Sequence, residues 1–97
     1  MAVVETPSAM RANADYLLGY LAEQWRGLSK IADEWDRWDE ADRLDFVLDW
    51  PSRPSLLDLL RSYAEAGVLT VEQRACHEQL ERLVAQQEPL LDRLMAD

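Results

Sequence analysis

The fold of this 97-residue chain is decided by the stretch ADYLLGYLAEQWRGLSKIADEW, residues 14–35. Its apolar side chains recur in alternating steps of four and three residues, at Ala14, Leu18, Leu21, Trp25, Leu28, Ala32 and Trp35. That spacing places them along one side of an α-helix, and we call them the apolar seam. Gly27 and Ser29 weaken the middle, because glycine costs about 1 kcal/mol relative to alanine in a helix and serine can cap a new one. The sequence therefore predicts one bent helix or two successive helices over residues 14–38.

The composition favours an all-α fold with one domain. Hydrophobic residues make up 48% of the chain and charged residues 30%, as in a folded protein rather than a disordered one. Only three glycines and four prolines occur, which leaves few of the turn residues that a many-stranded β protein needs. A chain of this length can bury roughly 60 to 65% of the surface that it exposes when unfolded. We predict a compact bundle of four to five helices joined by short turns over residues 1–97, with residues 1–7 as a flexible tail.

Capping residues predict where the first helices begin. Thr6 or Ser8 can cap the first helix, with Pro7 in its first turn. Asp39 can cap a helix after the apolar seam, because its carboxylate can accept hydrogen bonds from the free N–H groups of the first turn. The predicted buried stripe of that helix consists of Leu44, Val47 and Leu48. Pro51 disfavours a helical conformation in the preceding residue, so we expect this helix to end at Trp50.

Two further helices are predicted in the second half of the chain. Ser55 with Asp58 forms a capping pair for one helix, which Gly67 ends. Its predicted buried face consists of Leu56, Leu59, Leu60 and Tyr63. Thr70 with Gln73 forms the capping box of the last helix, whose predicted stripe is Cys76, Leu80, Leu83, Val84, Gln87, Leu91, Leu94 and Met95. Because Pro89 removes one backbone hydrogen bond, we expect a bend near residues 85–89 or a short helix starting at Pro89.

Negative charge and aromatic rings are concentrated in residues 33–50. This segment has eight carboxylates and two arginines, hence a charge of −6 out of −9 for the chain, and it contains three of the four tryptophans. A field of carboxylates accelerates encounter with a basic partner, and a large rigid ring supplies contact area at low entropic cost. We therefore predict a partner-binding site for a basic protein, made of Asp36, Trp38, Asp39, Glu40, Asp42, Asp45, Asp49 and Trp50.

Metal binding and catalysis are disfavoured. Aspartates recur every three residues from Asp33 to Asp45, but each step of three drifts around a helix by about 60°, so they do not converge on a metal ion. Cys76 and His77 are adjacent in a helix and point about 100° apart, so His77 cannot act as the base for Cys76. We expect Cys76 in the core and His77 partly exposed. The sequence predicts no metal, no cofactor and no enzymatic activity.

Nucleic-acid binding and membrane insertion are disfavoured as well. Residues 71–88 would present four glutamates against two arginines, whereas DNA recognition depends on cations that contact phosphates. No apolar run reaches the roughly 18 residues of a transmembrane helix, and the first ten residues lack the pattern of a signal peptide. Cys76 is the single cysteine, which excludes an internal disulfide. We expect a cytoplasmic protein.

Three segments carry a resemblance that spans nearly the whole chain: ADYLLGYLAEQWRGL, EWDRWDEADRLDFVLDWP and YAEAGVLTVEQRACHEQLERLV. They resemble short, acidic, all-helical proteins of actinobacteria, several of which look like antitoxins. The resemblance implies a protein that binds a basic nuclease or nucleotidyltransferase toxin and covers its site. Many antitoxins also carry a DNA-binding domain, which this sequence does not show, so direct contact with nucleic acid is not expected.

A different class of function is also consistent with the sequence. In this alternative the chain is a self-associating helical bundle, a homodimer without catalytic activity. The apolar seam and the helix after Thr70 would then complete their burial against a second copy.

Overall fold

The computed structural model describes residues 6–50 and 54–96 in full, and residues 52 and 53 by their backbone. Over this range the chain is all-α and contains no β-strand, which confirms the predicted fold class. Its helices are α1 (Pro7–Arg26), α2 (Leu28–Glu34), the 3-10 helix η1 (Trp35–Arg37), α3 (Glu40–Asp49), α4 (Ser52–Glu65) and α5 (Val71–Ala96). The predicted flexible tail over residues 1–7 is wrong at its last two residues, because Thr6 caps α1 and Pro7 is already helical; residues 1–5 lie outside the described residues.

The helix α4 runs antiparallel to α1. Near the start of α1, the side-chain amide of Asn13 donates a hydrogen bond of 2.9 Å to the hydroxyl of Tyr63, which lies close to the end of α4. Near the end of α1, Trp25 contacts Trp50, which precedes α4. The two contacts pair opposite ends of the two helices.

The helix α5 runs parallel to α1. The side-chain amide of Gln73 donates to the carbonyl oxygen of Arg11 at 2.8 Å, and that of Gln87 donates to the carbonyl oxygen of Trp25 at 3.2 Å. Both helices therefore advance in the same direction. The helices α1, α4 and α5 form an up-down-up core, and α2 extends α1 along α5.

The molecule is more extended than the predicted compact bundle of four to five helices. Its radius of gyration is 15.4 Å and its extents are 45 × 33 × 17 Å. A compact chain of this length has a radius of gyration of about 12.5 Å. The 26-residue helix α5 alone is about 39 Å long, and α3 contributes no buried residue to the core.

The apolar seam forms the centre of the core, as predicted. Six of its seven members are buried and Ala32 is half-buried. Because the seam is covered by α4 and α5 of the same chain, the prediction that it completes its burial against a second copy is wrong. Of the two predicted arrangements, two successive helices are observed. They meet at Gly27, whose backbone N–H donates to the carbonyl oxygen of Glu23 in α1 and whose carbonyl oxygen accepts from the N–H of Ile31 in α2, each at 3.1 Å.

Most predicted caps are confirmed. The side chains of Thr6 and Asp39 accept hydrogen bonds of 3.1 and 2.8 Å from backbone N–H groups in the first turns of α1 and α3. Thr70 and Gln73 form the reciprocal capping box, with 3.1 Å for each bond. Gly67 has a φ of +74°, which favours glycine, and it ends α4. The cap predicted at Ser55 is wrong, since α4 begins three residues earlier, at Ser52.

The predicted buried stripes of α4 and α5 are confirmed at most positions. Leu60, Tyr63, Leu80, Val84 and Leu94 are buried, and Leu56, Leu83, Gln87, Leu91 and Met95 are half-buried. One position in each helix was predicted wrongly. In α5 the inward row follows Gln73, His77, Leu80 and Val84, so Cys76 is exposed rather than in the core. In α4 it is Leu57 that is buried, whereas Leu59 is exposed. The helix α5 is continuous through Pro89, so no separate helix starts there.

Candidate protein-docking surface

Residues 33–50, which we call the acidic arm, leave the axis of α1 and α2 at η1. The backbone is extended at Trp38 and Asp39, with ψ angles of 141° and 171°, before α3 begins. Arg43 of α3 then binds back to the turn. Its Nε and Nη2 atoms donate to the carbonyl oxygen of Trp35 at 3.0 and 2.6 Å, and its guanidinium carbon lies 5.4 Å from the centre of the Trp35 ring. One of the two cations of the arm therefore stabilises its conformation.

Aromatic rings connect the acidic arm to α1. Trp25 and Trp50 pack edge to face with 5.2 Å between ring centres, and Trp50 lies 5.4 Å from Phe46. Phe46 in turn lies 5.5 Å from Trp35 and 6.2 Å from Trp38. Such pairs contribute about 0.5 to 1.5 kcal/mol each beyond the area that they bury. Since α3 has no buried residue of its own, these ring contacts contribute to holding the arm against the core, where Trp38 and Phe46 pack as half-buried side chains.

The prediction that Trp50 contributes to an exposed docking site is wrong. Its side chain is 2% exposed, because it inserts between Trp25 and Phe46. Trp38 is half-buried, with one side of its ring against Trp35 at 5.6 Å. Trp25 and Trp35 are buried in the core, as the seam predicts. Trp38 is thus the one tryptophan whose side chain keeps substantial contact with solvent.

The carboxylates of the arm lie mostly in solvent. Seven of the eight belong to exposed residues, and only Glu34 is half-buried. Asp42, Asp45 and Asp49 follow one another at positions i, i+3 and i+7 of α3, so they share a face of that helix. Phe46, at i+4 from Asp42, lies on the same face.

A shallow groove on this face brings together half of the predicted site. Its lining consists of Trp38, Asp42, Asp45, Phe46, Leu48 and Asp49. The predicted residues Asp36, Asp39 and Glu40 are exposed in the arm but do not line this groove. Aromatic rings bordered by carboxylates suit a lysine or arginine side chain, which interacts with both through cation–π contact and charge-assisted hydrogen bonds.

Sequence reasoning placed the leucines of α3 on the wrong side. Leu44 and Leu48 are 57% and 70% exposed, although their spacing marks them as one apolar stripe. The inward side of α3 belongs instead to Phe46 and Trp50, which are also four residues apart. The larger aromatic pair packs against the core, and the greater size of its side chains was the feature of the sequence that could have predicted this. The leucines add an exposed apolar edge to the acidic surface.

We also searched the described residues for a metal site, a histidine-based site and a membrane-spanning helix. No group of three or more histidine, cysteine, aspartate or glutamate side chains there is placed to hold a metal ion. His77 is half-buried, and its Nε2 atom lies 3.5 Å from a carboxylate oxygen of Glu81. Within the described range, no helix is both long enough and apolar enough to span a membrane.

Comparison with known proteins gives no further assignment. No protein-family model matches this chain, and neither curated proteins nor solved structures yield a match.

Proposed function

We propose that this protein is a small acidic binding module whose acidic arm covers a basic surface of another protein, in the manner of an antitoxin that inhibits its toxin. The observation that carries the proposal is the groove of α3, where three carboxylates border the rings of Trp38 and Phe46. A basic side chain of the partner occupies this groove. The module has no catalytic activity of its own, does not contact nucleic acid, and acts in the cytoplasm.

The charge of the arm supports a role in association. Residues 33–50 carry −6, and one of their two arginines is engaged with the Trp35 carbonyl. Since exposed carboxylates are screened by salt over about 8 to 10 Å, they mainly raise the rate of encounter with a basic surface. Affinity must come from groups that become desolvated in the complex.

The accessible apolar groups of the arm supply such contacts. Trp38 offers one side of an indole, and Leu44 and Leu48 project from α3 into solvent. Tryptophan is among the residues that most often dominate binding energy at an interface. We therefore expect Trp38 to be the central contact, with the aspartates around it as a charged rim.

The test begins with capture of a basic partner by the tagged chain and continues with binding measurements on the purified pair at low and high salt. Trp38→Ala should weaken binding by about tenfold or more, because a central interface tryptophan contributes on the order of 2 kcal/mol. Asp42→Lys combined with Asp45→Lys should slow association and reduce its salt dependence.

A matched control distinguishes the effect of charge in the acidic arm from the effect of the net charge of the chain. Glu65→Lys with Glu78→Lys makes the same change in total charge on exposed residues of α4 and α5, outside the arm. These two substitutions should change the association rate much less. Equal effects of both pairs, or unchanged binding by Trp38→Ala, would refute the assignment to the arm.

A further inference from the structure

A second surface, separate from the acidic arm, lies between the parallel helices α1 and α5. Its floor includes the apolar side chains of Leu18, Leu80 and Leu83. Charged residues of both signs line the same groove: Arg11, Asp15 and Arg26 from α1, with Glu72 and Arg82 from α5. Three of the ten cations of the chain line this groove against two acids, so its charge is +1 whereas that of the chain is −9.

The contribution of α1 to this groove has a regular pattern. Ala12, Asp15, Gly19, Ala22 and Arg26 follow one another in steps of three, four, three and four, so they form one straight row on the helix. Small residues occupy the middle of the row. An acid lies toward one end and a base at the other.

Gly19 has no explanation within the chain itself. Glycine inside a helix costs about 1 kcal/mol relative to alanine. A Cβ atom built on Gly19 would meet nothing within 4 Å, and its backbone is ordinary helix, so neither packing nor conformation requires glycine there. The free space above Gly19 lies in the groove, where another helix can approach closely.

The charges of the row indicate that α1 of a second copy is the helix that fits there. If a second α1 lies antiparallel on the first, with its centre between Gly19 and Ala22, then Asp15 of each copy lies opposite Arg26 of the other. A parallel arrangement would instead place Asp15 opposite Asp15 and Arg26 opposite Arg26, which is unfavourable. The row is thus complementary to itself in one orientation only.

We propose that this groove is the interface of a two-fold symmetric homodimer, in which α1 of a second copy lies antiparallel in the groove between α1 and α5. Gly19 of each copy contacts Ala22 of the other, and two Asp15–Arg26 pairs close the ends. Since α1 and α5 are parallel within one chain, the dimer is an antiparallel four-helix assembly. The proposal does not depend on the acidic arm, which lies outside the groove.

Asp15 is already oriented for this contact. One of its carboxylate oxygens accepts a hydrogen bond of 2.7 Å from the side-chain amide of Gln73, which is buried. Fixing the carboxylate in the monomer lowers the conformational entropy that is lost when a guanidinium binds it. Arg26 is exposed and available to the second copy.

A charge exchange tests the proposal by sedimentation and light scattering over a range of concentrations. Arg26→Asp should raise the dimer dissociation constant by about tenfold or more, because a carboxylate at position 26 of each copy then faces the Asp15 carboxylate of the other. Asp15→Arg should act likewise, and the double variant Asp15→Arg with Arg26→Asp should restore dimerisation. Within one chain the two positions are roughly 16 Å apart along the helix, so such rescue can arise only between copies.

A bulky substitution and its control complete the test. Gly19→Leu should abolish the dimer, whereas Ala75→Leu, on an exposed position of α5 outside the groove, should leave it intact. Alkylation of Cys76, which lines the groove, should slow as the wild-type chain dimerises and not in the Gly19→Leu variant. A wild-type chain that stays monomeric, a dimer unaffected by Arg26→Asp, or a dimer lost in Trp38→Ala instead would overturn the proposal.

Discussion

Gln73 shows how a single polar side chain can align two helices. It is 6% exposed, and its amide nitrogen donates to the Arg11 carbonyl oxygen and to the Asp15 carboxylate at 2.8 and 2.7 Å. Its amide oxygen accepts from the backbone N–H of Thr70 at 3.1 Å. Because a buried polar group is tolerated when it is hydrogen-bonded, Gln73 fixes the start of α5 beside α1 at little cost.

Arg43 has the corresponding role in the acidic arm and provides a first stability prediction. Arg43→Ala removes two hydrogen bonds to the Trp35 carbonyl oxygen and one stacking contact. Hydrogen bonds from a charged donor contribute about 1.5 to 3 kcal/mol, and the half-buried site is partly screened, so we expect a loss of about 1 to 2 kcal/mol in urea unfolding. Arg37→Ala, in the same arm at an exposed residue, makes the same charge change and should cost well under 0.5 kcal/mol, as surface substitutions typically do. Equal losses would contradict the role given to Arg43.

At the scale of elements, the hairpin of α4 and α5 is joined by an ion pair. The Nε and Nη2 atoms of Arg61 donate to both carboxylate oxygens of Glu81, each at 2.8 Å. This hydrogen bonding lowers the pKa of Glu81 below its usual value, and it raises the pKa of Arg61. Both side chains are partly solvated, so the pair contributes modestly to stability, by less than about 1 kcal/mol.

The direction of the Glu81 shift sets its dependence on pH. A carboxyl with a pKa lower in the folded than in the unfolded chain stabilises the fold above the ordinary value, and this contribution disappears as pH falls through the folded pKa. Glu81→Gln should therefore lower the free energy of unfolding by less than about 1 kcal/mol near pH 7. The difference from wild type should shrink below pH 4.5, the ordinary value, in denaturant titrations at several pH values. A difference that grows toward acid pH would contradict this account.

For the whole molecule, the aromatic contacts determine whether the acidic arm stays on the core. Trp50 is the link, because it touches Trp25 on one side and Phe46 on the other. The helix α3 has no buried side chain of its own, so without Trp50 the arm keeps only the half-buried rings of Phe46 and Trp38 against the core. The radius of gyration, already 15.4 Å, is therefore sensitive to this residue.

Trp50→Ala should destabilise the fold by about 3 to 5 kcal/mol, the usual cost of removing a buried aromatic ring. The radius of gyration from small-angle scattering should also rise as the arm separates from the core. Trp38→Ala, at a half-buried ring, should cost clearly less and leave the dimensions unchanged. If the two variants lose the same stability, the ring of Trp50 is not the anchor of the arm.

Sequence patterns within a few residues were sufficient to predict much of this fold. The alternating steps of the apolar seam determined that residues 14–35 are helical and which of their side chains are buried, although not that α1 ends at Arg26 and α2 begins at Leu28. The caps at Thr6, Asp39 and Thr70 and the left-handed Gly67 determined element boundaries, because each depends on hydrogen bonds or backbone angles within a few residues. The acidic, aromatic character of residues 33–50 was equally evident in the sequence.

Tertiary contacts decided what periodicity leaves open. Spacing shows which side chains share a face of a helix, but contacts between distant residues select the face that turns inward. The contact between Trp25 and Trp50, which are 25 positions apart, buries the indole of Trp50, a residue of the predicted site, and leaves Leu44 and Leu48 exposed. The parallel placement of α5 on α1 likewise left Cys76 exposed and created the groove around Gly19. The sequence by itself determined helices, caps and charge; only packing between distant segments decided which surfaces remain for partners.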